Sequence, residues 1–112
     1  MRYDLYQIKG DTSPKADECK VAMMMDFRGK KIGGIAEHAM GMGYYTRVAT
    51  LNVSSLDEAF QVGNIGPEEQ ITRHDRMASV SVGDVLVNEE GWMFVVANFG
   101  FEAVGIDKTV AA

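Results

Sequence analysis

The sequence predicts an α+β fold, in which a mainly antiparallel, twisted sheet carries two short helices packed on it. Segments rich in β-branched and aromatic residues alternate along the chain with segments whose apolar residues recur at helical spacing. The chain has 112 residues, 46% of them apolar and 24% charged, which is typical of a globular protein with one core. We therefore expect a single domain over residues 1–112, with its core in 21–105, loops at 10–20 and 64–78, and a flexible tail at 107–112.

Two strands separated by a loop are expected in the first quarter of the chain. Residues 2–9 (RYDLYQIK) alternate well enough for an edge strand. Residues 10–20 contain glycine, proline and several charges without an apolar rhythm, which predicts a loop. From Val21 to Phe27 every second residue is apolar, so we expect a strand whose three consecutive methionines fill the core. A methionine-rich surface that adapts to a protein partner is the alternative.

The glycine-rich segment that follows indicates a helix and not a nucleotide site. Its glycines match neither the phosphate-loop pattern nor the dinucleotide-binding spacing. Apolar residues from Ile35 to Met40 form a helical stripe, and Gly41 or Gly43 would end the helix. His38 would lie on the polar face of this helix.

Residues 44–53 (YYTRVATLNV) predict a strand, and the start of a second helix follows directly. Ser55 and Glu58 have the spacing of a capping box, in which each side chain binds a backbone N–H left free at the helix start. Gly63 and Asn64 would end this helix.

The most regular part of the chain is SVSVGDVLVNEEGWMFVVANFGF. Its alternation breaks at Gly83, where we expect a bend, with the Asp84 side chain accepting hydrogen bonds from nearby backbone. Gly91 fits the turn of a hairpin, and the return strand is apolar on both faces, as a central strand would be. Phe99 and Phe101 are expected to add core area.

The segments YYTRVATLNVSSLDEAFQVGN and ASVSVGDVLVNEEGWMFVVANFGFEAV resemble small uncharacterised proteins of tailed bacteriophages and other mobile elements. A strand, an L-x-x-x-F helix, an S-x-S-V-G-D-V strand and an F-G-F close recur in them, and the C-terminal part is similar to the YodL-like domain. The resemblance covers about residues 44–105 and brings no assigned catalytic residues. We therefore expect structural roles for Ser81, Gly83, Asp84, Gly91, Phe99 and Phe101. The resemblance implies an accessory protein in the cytosol of an infected bacterium, where such proteins commonly bind a host enzyme or defence component.

The charges are divided unevenly along the chain. Residues 1–50 carry eight Lys or Arg and six Asp or Glu, whereas residues 51–112 carry three and ten, so the net charges are +2 and −7. Because nucleic-acid affinity depends on neutralising phosphates with Lys and Arg, the acidic half disfavours direct nucleic-acid binding. An acidic surface could bind a basic surface of a protein partner, or it could only maintain solubility.

The longest irregular segment between regular elements is the loop at 64–78. Long ordered loops often carry function, so we predict an interaction surface here. Its candidate residues are Glu68, Glu69, Arg73, His74, Asp75 and Arg76.

No cofactor, metal ion or catalytic residue is expected. The single cysteine, Cys19, excludes an internal disulfide and a multi-thiolate metal site. No apolar run approaches the roughly 18 residues that span a bilayer, and the N-terminus lacks the apolar core of a signal peptide. We therefore expect a cytoplasmic protein without membrane contact.

The favoured function is that of a non-enzymatic bacteriophage accessory protein that binds and modulates or inhibits a host bacterial protein. The acidic second half and the loop at 64–78 would form the binding surface. Exposed strand edges and the methionine-rich segment would suit a homodimer as well as ordinary core packing.

Two further functions are weighed against this one. The first is a small β-barrel-like module that binds nucleic acid or ribonucleoprotein. Its local basic patch would consist of Arg28, Lys30, Lys31 and Arg47. The second is an enzyme with an acid-base site. Its acid and base would be His74 with Asp75, or His38 with Glu37.

Overall fold

A six-stranded antiparallel sheet forms the centre of the protein in the computed structural model, which describes residues 1–10 and 13–104. Its strands are β1 (Tyr3–Ile8), β2 (Tyr45–Leu51), β3 (Ile71–Arg73), β4 (Val85–Asn88), β5 (Met93–Val96) and β6 (Phe101–Val104). They lie in the order β3-β2-β1-β4-β5-β6, and every neighbouring pair is antiparallel. The predicted tail at 107–112 lies outside the described residues.

Helices cover both faces of the sheet, which confirms the α+β class. They are α1 (Pro14–Met24), α2 (Ile32–Gly41) and α3 (Leu56–Ile65), three where the sequence predicted two. Val85 of β4 packs with residues of α1 and α2, whereas its neighbour Leu86 packs with residues of α3. Because successive strand residues point to opposite faces, α1 and α2 cover one face and α3 covers the other.

The segment between β1 and α2 differs most from the prediction. Helix α1 replaces most of the loop expected at 10–20 and most of the strand expected from Val21 to Phe27. The Ser13 side chain accepts a hydrogen bond from the Ala16 N–H at 3.1 Å, and a proline follows it at the start of the helix, where no N–H is needed. Residues two apart in the sequence lie on different sides of a helix. The apolar residues at every second position from Val21 to Phe27 therefore do not form one buried face. Of the four apolar residues expected in the core, only Met23 is buried.

Strand β1 is a central strand, and the prediction of an edge strand was wrong. It pairs with β2 on one side and with β4 on the other. Leu5 packs in the core on the α3 side of the sheet, and Ile8 packs in the core on the α1 and α2 side. Burial on both faces makes β1 a shared element of the two cores.

The middle of the chain follows the prediction closely. Strand β2 confirms the strand expected over 44–53, and α2 contains the helix expected over Ile35–Met40. Ser55 begins α3 as expected, and its Oγ accepts a hydrogen bond from the Glu58 N–H at 3.1 Å. The Glu58 carboxylate in turn accepts the N–H of Ser54 at 2.7 Å.

The predicted loop at 64–78 is partly regular. Helix α3 extends through Ile65, a short 3₁₀ turn covers Glu68–Gln70, and β3 then pairs with β2. Gly63 lies inside the helix and does not end it. The absence of a side chain here allows close packing, since a Cβ atom at this position would lie 2.3 Å from the Val80 side chain. Irregular backbone is short before β3, but after β3 it continues from His74 to Asp84, up to the start of β4.

The C-terminal hairpin follows the prediction at its turns. Gly83 has φ +96° and Gly91 has φ +90°, left-handed values that favour glycine, so the bend and the hairpin turn are confirmed. The alternating residues from Ser79 onwards are not a strand, since β4 begins only after the bend. Phe101 packs against the core on the α3 side, but Phe99 is 85% exposed and its expected place in the core was wrong.

Candidate functional site

The residues predicted to form an interaction surface lie along the β3 edge of the sheet, in residues 68–76, here called the charged segment. Arg73 donates two hydrogen bonds to the Glu68 carboxylate, one of them from Nη2 at 3.0 Å. This contact holds the pKa of Glu68 below its ordinary value. Glu69 is exposed and makes no hydrogen bond or ion pair with another described residue.

The carboxylate of Asp75, near the end of this segment, is also neutralised within the protein. The Lys9 ammonium lies 2.6 Å from Asp75 Oδ1, and the same oxygen accepts the backbone N–H of Arg76 at 2.7 Å. These two hydrogen bonds lower the pKa of Asp75, with that from Lys9 as the main cause. In the charged segment, Glu68, Arg73 and Asp75 are therefore paired, whereas Glu69 and Arg76 make no ion pair with a described residue.

His74 does not form an acid-base pair with Asp75. Thr50 Oγ1 donates its one hydrogen to Asp4 Oδ1 at 2.7 Å, so His74 Nε2, also 2.7 Å from Thr50 Oγ1, must donate to that oxygen. Asp75 faces Lys9 instead. The two neighbouring side chains are thus directed to different partners and do not converge on one reacting centre.

A buried polar pair lies behind the charged segment. Asp84 Oδ2 accepts one hydrogen bond from Gln7 Nε2 and one from the Ser81 N–H, each at 3.0 Å. Gln7 and Asp84 are each only 4% exposed. Burial raises the pKa of Asp84 to about 6, although both hydrogen bonds and nearby Lys20 oppose the shift. The predicted backbone contact of Asp84 is confirmed.

Gln7 was missed by sequence reasoning, although a signal was present. It lies two residues after the buried Leu5, at a position of β1 that faces the core. Its amide also donates to the Ala78 carbonyl at 2.9 Å and accepts the Ala78 N–H at 3.0 Å. A glutamine side chain that faces the core needs hydrogen-bond partners. The position of Gln7 in β1 therefore predicts a buried hydrogen bond but does not identify Asp84 as the partner.

A cleft of about 400 Å³ opens over the buried pair. Gln7 and Asp84 contribute to its lining, and Ile8 and Met77 add apolar wall. Its charged lining comes from Lys9, Lys20 and Arg76. A half-enclosed space with a buried carboxylate and several cations is a candidate ligand site.

A group of exposed apolar side chains lies on the second half of α1, on the connection that follows it and on the turn between β5 and β6. We call it the α1–tip patch. It consists of Val21, Met24, Met25, Phe27 and Phe99, all of them exposed. Asn98 Nδ2 donates to the Met24 carbonyl at 3.2 Å and to the Asp26 carbonyl at 3.3 Å, which fixes the turn against the end of α1.

The α1–tip patch combines residues that the sequence placed in the core. Met25 is 62% exposed, and it follows Val21 by four residues, the spacing of neighbours on one helix face. The signal that could have revealed this was the Ser-Pro start of α1, which sets the orientation of every later residue of the helix. A methionine-rich surface, the alternative to core filling, matches Met24 and Met25.

A second groove lies between α1 and α2. Lys15, Lys30 and Lys31 line it together with Cys19 and His38. Burial, followed by the nearby Glu18 carboxylate, raises the pKa of the Cys19 thiol, which disfavours the reactive thiolate. Of the basic patch predicted from the sequence, Lys30 and Lys31 come together here, whereas Arg47 lies on β2 with its guanidinium 3.7 Å from Asp4.

Over residues 1–10 and 13–104, no helix has the length and apolar content to cross a bilayer. In the same part of the chain, no three His, Cys, Asp or Glu side chains come together as ligands for a metal ion.

Comparison with protein-family models, with curated proteins and with solved structures gives no match. The resemblance to bacteriophage proteins, which depends on the S-V-G-D-V and F-G-F segments, therefore stays a prediction.

Proposed function

We propose that this protein is a non-enzymatic bacteriophage accessory protein that binds a host bacterial protein in the host cytoplasm and modulates or inhibits it. The observation that carries the proposal is the α1–tip patch, where four large apolar side chains of residues 21–27 are exposed and the exposed Phe99 lies on the turn that Asn98 joins to the end of α1. The bacteriophage origin and the host partner come from the resemblance of residues 44–105.

Exposed apolar side chains favour association with another surface. Burial of apolar area contributes roughly 25 cal/mol per Å², and contiguous apolar patches on proteins commonly mark interaction sites. Phe27 and Phe99 would supply rigid aromatic area, while Met24 and Met25 can adapt their shape to a partner. These are the residue types that interface centres favour.

The patch is also held in place before a partner arrives. Asn98 joins the β5–β6 turn to the end of α1, and Asp26 Oδ2 accepts the N–H groups of Lys31 and Ile32, each at 2.8 Å, which fixes the connection from α1 to α2. A preorganised surface loses less conformational freedom on binding, so more of the contact energy appears as affinity.

A role without catalysis is supported by the arrangement of the polar side chains. His74 donates to Thr50, Asp75 is paired with Lys9, and His38 lies in the separate groove between α1 and α2. The proposed function therefore uses contact area and needs no reacting group. The charged segment, which the sequence favoured, would serve at most as a polar border of the interface.

The proposal is tested by affinity capture with matched variants. Tagged wild type, a patch variant with Met25→Ser and Phe99→Ser, and a control variant with Ile65→Ser are each incubated with lysate of a susceptible bacterium. Ile65 is also exposed but lies at the end of α3, outside the α1–tip patch. Captured proteins are identified by mass spectrometry, and circular dichroism establishes that all three proteins fold.

We expect one host protein to be captured in stoichiometric amount by the wild type and by the control, and to be lost from the patch variant. A partner that binds the patch variant as well as the wild type would refute the assignment of the surface. Absence of any partner would refute the function. A wild type that is dimeric and a patch variant that is monomeric in sedimentation would assign the patch to a homodimer instead.

The groove between α1 and α2 supports nucleic-acid binding as the second candidate function. Lys15, Lys30 and Lys31 line one space and could neutralise phosphates. A salt-sensitive mobility shift of labelled single-stranded or duplex DNA, abolished by Lys30→Ala with Lys31→Ala, would support this function. No shift at low salt would exclude it.

A further inference from the structure

We propose that the cleft above Gln7 and Asp84 binds a small zwitterion of the amino-acid class, with its carboxylate held by Lys20 and Arg76 and its ammonium group held by Asp84. The inference is independent of the proposed protein-binding function, because the cleft shares no residue with the α1–tip patch.

The bottom of the cleft presents a carboxylate oxygen that is still able to accept a hydrogen bond. Gln7 Nε2 and the Ser81 N–H both donate to Oδ2 of Asp84, and Oδ1 has no donor among the described residues. Among the described residues, every fully buried side-chain nitrogen or oxygen has a hydrogen-bond partner. Since Oδ1 of Asp84 has none, it is not fully buried, and it borders the cleft. The position of Asp84 is fixed by its two bonds, which prepares Oδ1 for a ligand donor.

The cations that line the cleft differ in how far they are neutralised. Lys9 is paired with Asp75 at 2.6 Å and is not available. The Lys20 ammonium makes only a long contact of 3.5 Å with the Ile8 carbonyl, and the Arg76 guanidinium makes no ion pair with a described residue. Lys20 and Arg76 can therefore bind a carboxylate, for which arginine offers the fitting two-donor geometry.

The combination of charges selects the ligand class. A simple anion would satisfy Lys20 and Arg76 but would place negative charge beside the Asp84 carboxylate. A simple cation would satisfy Asp84 but would be repelled by Lys20 and Arg76. A molecule that carries a carboxylate and an ammonium group on the same carbon atom, as an α-amino acid does, satisfies both ends. The cleft volume of about 400 Å³ suits a small ligand, since ligand pockets span roughly 300–1,000 Å³.

The apolar part of the lining suggests where the ligand side chain lies. Ile8 and Met77 border the cleft beside the polar groups. Amino acids with an apolar side chain would bury it against these residues, which tightens binding about fourfold for each buried methylene. We therefore expect apolar amino acids to bind better than glycine.

The test begins with ligand-detected NMR on the full-length protein. Free L-amino acids are added in small pools at pH 7, and saturation transfer identifies those that bind. For the strongest binder, the analogue without the amine and the analogue without the carboxylate are then titrated separately. We expect each single-group analogue to bind about tenfold more weakly or worse, because a hydrogen bond to a charged group contributes roughly 1.5–3 kcal/mol.

Three variants locate the site. Arg76→Ala is expected to weaken the strongest binder about tenfold or more, and Asp84→Asn is expected to remove the preference for the amine-bearing ligand over its des-amino analogue. Arg28→Ala, an arginine on the connection between α1 and α2, should leave binding unchanged. Arg76 is exposed, so its variant decides the question even if Asp84→Asn does not fold.

The proposal is overturned if no amino acid binds, if the single-group analogues bind as well as the amino acid, or if Arg76→Ala binds like the wild type. None of these results would bear on capture of a host protein by the α1–tip patch, so failure of this inference and failure of the proposed function can be told apart.

Discussion

The α1–tip patch and the charged segment lie toward opposite edges of one sheet, and they treat their exposed side chains in opposite ways. In the charged segment, Glu68 is paired with Arg73 and Asp75 with Lys9, so three of its five Asp, Glu and Arg side chains are neutralised within the protein. In the patch, large apolar side chains such as Phe99 have no such internal use. A run of charges is therefore not by itself evidence of a binding surface, whereas large exposed apolar side chains without an internal contact indicate one.

The largest expected effect comes from the three consecutive methionines, which test whether the patch is exposed as described. Met23 is fully buried, a Cβ atom added at Gly83 would lie 3.4 Å from its Cε, and its sulfur lies 3.6 Å from the Tyr45 hydroxyl. Met23→Ala should lower the free energy of unfolding by about 2–5 kcal/mol. Met24→Ala and Met25→Ala should each change it by less than about 0.5 kcal/mol.

Denaturant unfolding of the three single variants measures this difference. Similar losses for all three would mean that the segment is buried throughout, as a core strand would be, and the α1–tip patch would not exist.

The pH dependence of the free energy of unfolding should distinguish the charged segment from the buried Asp84, because the two contribute to stability at opposite ends of the pH range. The folded-state pKa of Asp84, about 6, lies above its ordinary value of 3.8, so the folded protein holds this proton more strongly than the unfolded chain. Stability from this group is therefore fully present below about pH 4 and is lost as the pH rises through 6, a loss of about 3 kcal/mol. Glu68 and Asp75 have lowered pKa values, so their contribution is lost as the pH falls below 4.

Denaturant unfolding of the wild type and of Asp84→Asn between pH 3 and 8 separates the stability contribution of Asp84 from that of Glu68 and Asp75. The asparagine carbonyl can accept both hydrogen bonds that Asp84 Oδ2 accepts, so the variant should lose the decline between pH 4 and 6 and keep the decline below pH 4. The groups that face this carboxyl are Gln7, Lys20, Tyr45 and the cleft cations Lys9 and Arg76. Equal pH profiles for the two proteins would contradict the assignment of the raised pKa to Asp84.

The smallest expected effect belongs to the charged segment. Neutralising it with Glu68→Gln, Glu69→Gln and Asp75→Asn should leave the fold unchanged and should alter affinity for a captured host protein by no more than about twofold, since exposed ion pairs contribute little. Titration of the captured protein with the triple variant measures this. A large loss would restore the predicted loop surface at 64–78 as the binding site.

Local sequence signals predicted the parts of the fold that depend on local chemistry. The capping pair at Ser55 and Glu58 needs only side chains that reach the backbone nearby, and Gly91 needs only a left-handed turn, so both could be recognised in the sequence. The fold class followed from such signals taken together.

Features that depend on tertiary contacts could not be predicted in the same way. A strand and a helix of the same composition both fit the residues around Met23, and only packing against the sheet decides which of the three methionines is buried. The pairing of Gln7 with Asp84 joins residues 77 positions apart, and the exposure of Phe99 depends on how the β5–β6 turn meets α1. The two candidate sites therefore became visible only in the folded arrangement.

The most direct test of the proposed binding surface is the affinity of one purified host partner for three forms of this protein, measured side by side by calorimetric titration. We expect the Met25→Ser and Phe99→Ser variant to bind at least roughly thirtyfold more weakly than the wild type, as loss of a binding hot spot would. The triple variant of the charged segment should bind like the wild type. Full affinity of the patch variant together with weakened binding of the charged-segment variant would show that the exposed apolar side chains are not the site.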